Sequence, residues 1–273
     1  MMSCFQVLVL NIAAADLGYT LFLILPTVIS TCANKWVLGL LMCKVSGFLQ
    51  FVFGCVNILS ICALNISKLS SLKHPIRSRI RSSKTAYMIT GVIWMIALVQ
   101  PMLAARNGFV YYPAAFRCLT ERNNESFTMM IVESVILNIA FIFLPMLVIV
   151  VTGFYLLYLV RVKAASQIRF QGVAVILIVS LAFVLSWLPL MLYNLKHNFH
   201  SHTHTAFLHT GLFCVFISTA CNPYLYIFTS KSFKEFVRKA LHGKIRRKTS
   251  RCIPVSKMPS VLVNDRILMS SDL

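Results

Sequence analysis

Six long apolar stretches constrain this chain more than any other feature. They are Phe5–Thr31, Val45–Ser67, Thr85–Ala105, Ser134–Val160, Phe170–Leu195 and Thr205–Ser230. Five contain no Asp, Glu, Lys or Arg, and the first contains only Asp16. About 20 mostly apolar residues suffice for a helix to cross a bilayer. Core helices of soluble proteins are rarely this long and this free of charge. Strands of a membrane barrel would alternate polar and apolar residues over shorter runs, so all six read as helices. Composition agrees: 58% of the 273 residues are hydrophobic and 12% are charged. A soluble domain has about 25% charged residues with which to cover itself. A soluble enzyme and a disordered chain are therefore both excluded. An all-α polytopic membrane bundle remains.

The charge is lopsided, with 26 Lys+Arg against 7 Asp+Glu, a net +19. In a soluble protein that would suggest nucleic acid. Here the basic residues punctuate apolar helices, which excludes that partner. Twenty of the 26 lie between Lys68 and Lys84, between Arg161 and Arg169, and in the tail from Lys231. Only Lys35, Lys44, Arg106, Arg117, Arg122 and Lys196 fall in the alternate connections. Positive charge collects on the cytoplasmic side, so the tail is expected there. Six crossings then put the N-terminus inside as well. Met1–Leu10 has neither the basic start nor the cleavage site of a signal peptide. The tail, 243–273, is basic and Ser-containing and is expected to be disordered.

An ionisable group deep in a span is costly and marks a functional site by default. The plainer reading of Asp16 is a neutral acid in a helix–helix hydrogen bond. Asn57, Ser60, Ser218, Thr219 and Asn222 could reach it in a bundle and form a small water-filled or cation-binding site. Prolines fall within spans at Pro26, Pro101, Pro145, Pro189 and Pro223. Each removes a backbone hydrogen bond and can kink its helix. Trp187 beside Pro189, and Asn222 beside Pro223, suggest helices that pivot near a polar pocket; bends that only shape the bundle are the alternative.

Several short motifs fall in order along these spans. Leu10-Asn11-Ile12-Ala13-Ala14-Ala15-Asp16 resembles the LNxxxAD of the second helix of rhodopsin-like G-protein-coupled receptors. Trp36-Val37-Leu38-Gly39 with Cys43 is similar to that family's first extracellular loop and the start of its third helix. Trp94 matches the tryptophan of helix four. Phe183 to Pro189 resembles FxxCWxP, with Ser186 in the Cys position, and Asn222 to Tyr226 is a full NPxxY. The resemblance implies a receptor domain over 1–242, with spans at about 5–31, 41–72, 85–105, 128–160, 169–196 and 204–229. A short amphipathic eighth helix is implied at 232–241. It implies a seven-transmembrane fold in which six of the seven helices are present. The first helix and the extracellular N-terminus are expected to be lacking, either because the sequence is a fragment or as a natural short form, the former being favoured.

The resemblance also assigns roles. Cys43 is expected to pair with Cys118. Asp16, Asn57, Trp187, Ser218, Thr219 and Asn222 match positions around a sodium site, so an allosteric sodium ion is the one cofactor it implies. Ile58, Pro145 and Phe183 match a packing switch, Trp187 with Pro189 a toggle at the pocket floor, and Pro223 with Tyr226 the end of helix seven. Lys68, Pro75 and Ile76 correspond to G-protein contacts, a heterotrimeric G protein being the implied partner at the plasma membrane. Gln50, Tyr193 and Asn194 would line the ligand pocket, with Tyr111-Tyr112 suited to a hairpin lid. Asn124-Glu125-Ser126 is a glycosylation sequon on the outer side. Asn65-Ile66-Ser67 is another sequon, at the inner membrane edge and expected to be silent.

The chain departs from the family at its coupling end. Ser67-Lys68-Leu69 stands on the Asp-Arg-Tyr motif, and Arg169 stands near the place of an acid on helix six. Gly153 takes the place of a helix-five Tyr, though Tyr155 is close. Lys lacks the planar fork of Arg. The usual inactive-state ionic lock cannot form, which implies either raised basal activity or weakened coupling, the second being favoured. The last span has no Lys for a retinal Schiff base, and Gln50 replaces the acid of amine receptors. A peptide ligand is favoured, with a lipid or other small molecule as alternative. His200, His202 and His204, with His197 and His209, could chelate zinc or copper or report pH. A solvated loop is favoured, and no metal site is expected. A channel or transporter using Asp16 as an ion relay is the rival class. It would be favoured by internal repeats or several intramembrane acids, and the sequence has neither.

Overall fold

The computed structural model describes residues 4–73, 83–106, 108–120, 135–162, 170–199, 205–229 and 238. The first span is a single run, Cys4–Ala33. It consists of α1 (Cys4–Tyr19), a π-helical turn Thr20–Ile24, and α2 (Leu25–Ala33). Then follow α3 (Gly39–Lys73) and α4 (Ser83–Ala105). A hairpin of β1 (Phe109–Tyr112) and β2 (Arg117–Thr120) comes next. After a second π turn, Ile139–Phe143, the chain forms α5 (Leu144–Val162), α6 (Phe170–Phe199) and α7 (Thr205–Thr229). Helix is the form lipid demands, because it satisfies every backbone group within its own segment.

Five helices among the described residues are long and apolar enough to cross a membrane, and Ala206–Asn222 adds a shorter apolar run within α7. Of the apolar stretch of α3, 67% is buried in the bundle, against 17% for Val135–Val162. So α3 is the central column, while α4 and α5 turn most of their surface outward. The side chains they present are apolar: Met88, Met95 and Phe154 are each more than two-thirds exposed. A patch of that size suits hydrocarbon, not water.

The prolines act in two ways. Pro26 and Pro145 each follow a π turn. A proline ring strikes the carbonyl four residues back, here Phe22 and Phe141, and both lie inside the wider turn. One extra residue in that turn absorbs the missing hydrogen bond. Pro101 and Pro189 instead sit within continuous helices.

Side-chain size sets how closely the helices approach. The Phe53 ring packs over Gly18. It also meets Trp94 edge-on at 5.9 Å and stacks on Phe22 at 5.9 Å. A Cβ on Gly211 of α7 would stand 2.9 Å from the backbone nitrogen of Leu190 and 3.0 Å from its Cα. Backbone cannot rotate away as a side chain can. Gly91, by contrast, has nothing within 4 Å of an added Cβ. Gly211→Ala is therefore expected to lower stability by about 1–3 kcal/mol, the cost of overpacking. Gly91→Ala should leave it unchanged or slightly raised. Thermal denaturation of the detergent-solubilised variants checks this, and equal melting temperatures would refute the close α6–α7 contact.

Candidate functional site

The polar side chains of the spans converge at mid-depth rather than scatter. Asp16, on α1, is 3% exposed. Asn57 of α3 donates its Nδ2 hydrogen to Asp16 Oδ1. Asn222 of α7 donates to Asp16 Oδ2 at 3.2 Å. One carboxyl group thus joins three helices. Ser218 lies one turn before Asn222 on α7, hence on the same face. Its Oγ, with Asn57 Oδ1 and Asn222 Oδ1, is buried and has no hydrogen-bond partner. Thr219 is buried too. Unpartnered buried oxygens beside a carboxylate form a donor set for a hard cation.

Aromatic rings lie next to this centre. Trp187 packs at 5.4 Å from Phe183 and 6.2 Å from Tyr19. Gly54 of α3 lies beside both, an added Cβ there coming into ordinary contact at 3.5 Å from Trp187 and 3.7 Å from Tyr19. Ile58 and Phe183 are fully enclosed and Pro145 is buried, so all three switch positions are core residues. Cys62 donates its thiol hydrogen to the Pro145 carbonyl at 3.1 Å, which fixes α5 against α3.

The β-hairpin is anchored to the start of α3 at three points. The Cys43–Cys118 disulfide is formed, with Cα atoms 5.4 Å apart. Gln50 Nε2 donates to the Cys118 carbonyl at 2.7 Å and to the Gly47 carbonyl at 3.2 Å. Phe109 fills the space over Gly47, where a Cβ would come within 2.7 Å of its ring. Strand register pairs Tyr111 with Cys118 and Tyr112 with Arg117. Phe116, at φ 50°, turns its ring to within 6.1 Å of His209 on α7. The hairpin therefore reaches from α3 to α7.

Arg117 is the unexpected member. It is only 9% exposed, and its Nε has no hydrogen-bond partner. Burial pushes the guanidinium below its ordinary pKa, while Tyr19 of α1 and Tyr193 of α6 hold it up. The basic group is thus enclosed, with both tyrosines within electrostatic range of it.

The structure separates some residues that the sequence grouped. Ser60 does not serve Asp16; its Oγ accepts a 2.7 Å bond from Asn11 Nδ2. Asn11 Oδ1 in turn accepts from Trp94 Nε1 at 2.9 Å. This second relay ties α1, α3 and α4 and was not foreseen. Its signal was present, since a buried Asn and a Trp N–H in lipid each need a partner. Gln50, expected to line a ligand pocket, is a bracket for the hairpin. Asn65 is fully buried and donates to Ser180 Oγ of α6 at 2.8 Å, so its sequon is enclosed. At the end away from the hairpin, Lys68 lies half-buried in the last turns of α3. Lys73 Nζ lies 4.6 Å over the Tyr155 ring.

Asn194, Pro223 and Tyr226 continue α6 and α7. Pro75, Ile76, Asn124, His200, His202, His204 and nearly all of 232–241 and 243–273 lie outside the described residues. Among the described residues no group of three His, Cys, Asp or Glu could hold a metal.

Comparison with known proteins agrees with this architecture. The pyroglutamylated RF-amide peptide receptor of Rattus norvegicus is 25% identical over 84% of this chain and 60% of its own length. The chain thus spans less than two thirds of that relative. Chemerin-like receptor 2 of Homo sapiens is 27% identical over 85% of the chain and 68% of its own length. Galanin receptor type 1 of Homo sapiens is 24% identical over 88% and 72%. Such proteins are receptors rather than enzymes, and channel or transporter readings lose their ground. The sequence pattern of the 7 transmembrane receptor (rhodopsin family) matches residues 1–226, and the chain belongs to that family of multi-pass membrane proteins.

Proposed function

We propose that this chain is a plasma-membrane receptor. It takes an extracellular peptide at the hairpin end and passes the event to a heterotrimeric G protein at the other end, where the C-terminus is cytoplasmic. Relatives named for pyroglutamylated RF-amide peptide and galanin support a peptide ligand. The observation that carries the reading is the Asp16 centre. It joins α1, α3 and α7 beside Trp187, on the helix that also carries Pro189.

A sodium ion fits this centre. Asp16 would supply the charge, and Ser218 Oγ and the two asparagine oxygens would supply neutral donors. The ion would favour the packing in which α1, α3 and α7 are drawn together. Ligand at the hairpin end would favour the other packing, so the two would act through a shared equilibrium. For the purified parent chain, replacing N-methylglucamine by sodium at constant ionic strength is expected to raise the melting temperature by about 2–4 °C. Asp16→Asn should abolish the rise. An equal rise in both proteins would refute the site.

The coupling end differs from the family in a testable way. Lys68 offers a point charge where Arg would offer a planar fork. In a GTP-exchange assay with purified G proteins, the parent chain is expected to show weak ligand-independent exchange. Lys68→Arg should raise it severalfold at equal surface expression. A fall on that substitution would mean that Lys68 sustains basal activity instead.

A further inference from the structure

We infer that Arg117 is the anchor for an anionic group on the ligand, so that the extracellular ligand carries a carboxylate. The inference deepens the receptor reading and rests on it: it presumes that the hairpin end of the bundle is where ligand enters.

The observations concern one cation and its surroundings. Arg117 belongs to β2, next to Cys118, which the disulfide and Gln50 hold against α3. The backbone at Arg117 is thereby positioned on three sides: by α3, by the strand pairing to Tyr112, and by Phe116 packed on His209 of α7. From that base the side chain is enclosed to 9% exposure, and Tyr19 and Tyr193 lie within electrostatic range of it. Tyr19 in turn touches Trp187, beside the polar centre.

A guanidinium in such a place needs an anion. Burying an unpaired charge is costly, and the cost is offset only by an opposite charge with good hydrogen bonds. Asp16 is the one acid among the described residues, and its carboxyl group belongs to the centre it forms with Asn57 and Asn222. Tyrosine, a neutral phenol, cannot neutralise the guanidinium. The Nε–H has no partner at all. Nε and one terminal nitrogen form the side of the fork that receives a carboxylate in two parallel bonds. The surrounding tyrosines and Trp187 would cover an apolar body attached to that carboxylate. The anion would come from a peptide C-terminus or from a lipid acid; the chemistry at Arg117 is the same.

The test uses the full chain purified in detergent, with paired probes that differ only in charge. They are heptapeptides prepared as C-terminal acids and as C-terminal amides, oleate with oleamide, and benzoate with benzamide. Binding is read from ligand-dependent thermal stabilisation. At least one acid is expected to bind about tenfold or more tightly than its amide, and the peptide or lipid arm that responds identifies the source. Arg117→Gln should remove the preference. Arg117→Lys, which keeps the charge without the fork, should retain only part of it and guards against loss of folding in the first variant. Arg106→Gln, at an exposed position before the hairpin, should leave the preference intact. Equal binding of acids and amides, a preference that survives Arg117→Gln in a folded protein, or one lost equally in Arg106→Gln would each overturn the inference. Amides that trigger GTP exchange without Arg117 would defeat the carboxylate alone. Acids that bind through Arg117 yet trigger no exchange would instead count against the signalling reading.

Discussion

In hydrocarbon a polar group has no water to fall back on, so each must find its partner within the bundle. Asp16 answers that demand by drawing donors from α3 and α7. Asn11 answers it with Ser60 and Trp94. These two relays lie one above the other along α1 and cross α3, the most buried helix. Apolar packing alone orders helices poorly in lipid, because tails are as apolar as the side chains. The hydrogen bonds give the helices their rotation and relative depth.

The same centre has the makings of a switch. Its carboxyl group has two donors, while three neighbouring oxygens have none. That imbalance is one that a bound cation would relieve. On one side lies Trp187, with Phe183 and Tyr19 against it. Toward the other end of the bundle, α3 meets α6 through Asn65 and Ser180, a neutral contact in a region where the family places an ion pair. Among the described residues, that end also has Lys73 over the Tyr155 ring of α5.

The hairpin is the rigid part of the opposite end. A disulfide, a glutamine bracket and a phenylalanine wedge hold it to α3. Such anchoring reduces the freedom that a flexible loop would lose when a ligand binds. It also holds Arg117, enclosed, at a defined place.

Much of this was legible in the sequence. The length and purity of six apolar runs dictate helices in lipid, since no other backbone form satisfies itself there over such a length. The ordered motifs implied the family, the Cys43–Cys118 bridge and the company that Asp16 keeps. Other points depended on three-dimensional contact. Ser60 and Asn57 lie one turn apart on α3, and only the rotation of α1 decides that Ser60 meets Asn11 while Asn57 meets Asp16. Pro26 and Pro145 look like Pro101 and Pro189 in sequence, yet only the first two follow π turns. Arg117 reads as one more outer basic residue. That it is enclosed depends on how the hairpin is clamped across α3 and α7, and strand pairing and packing between distant segments carry no local signature.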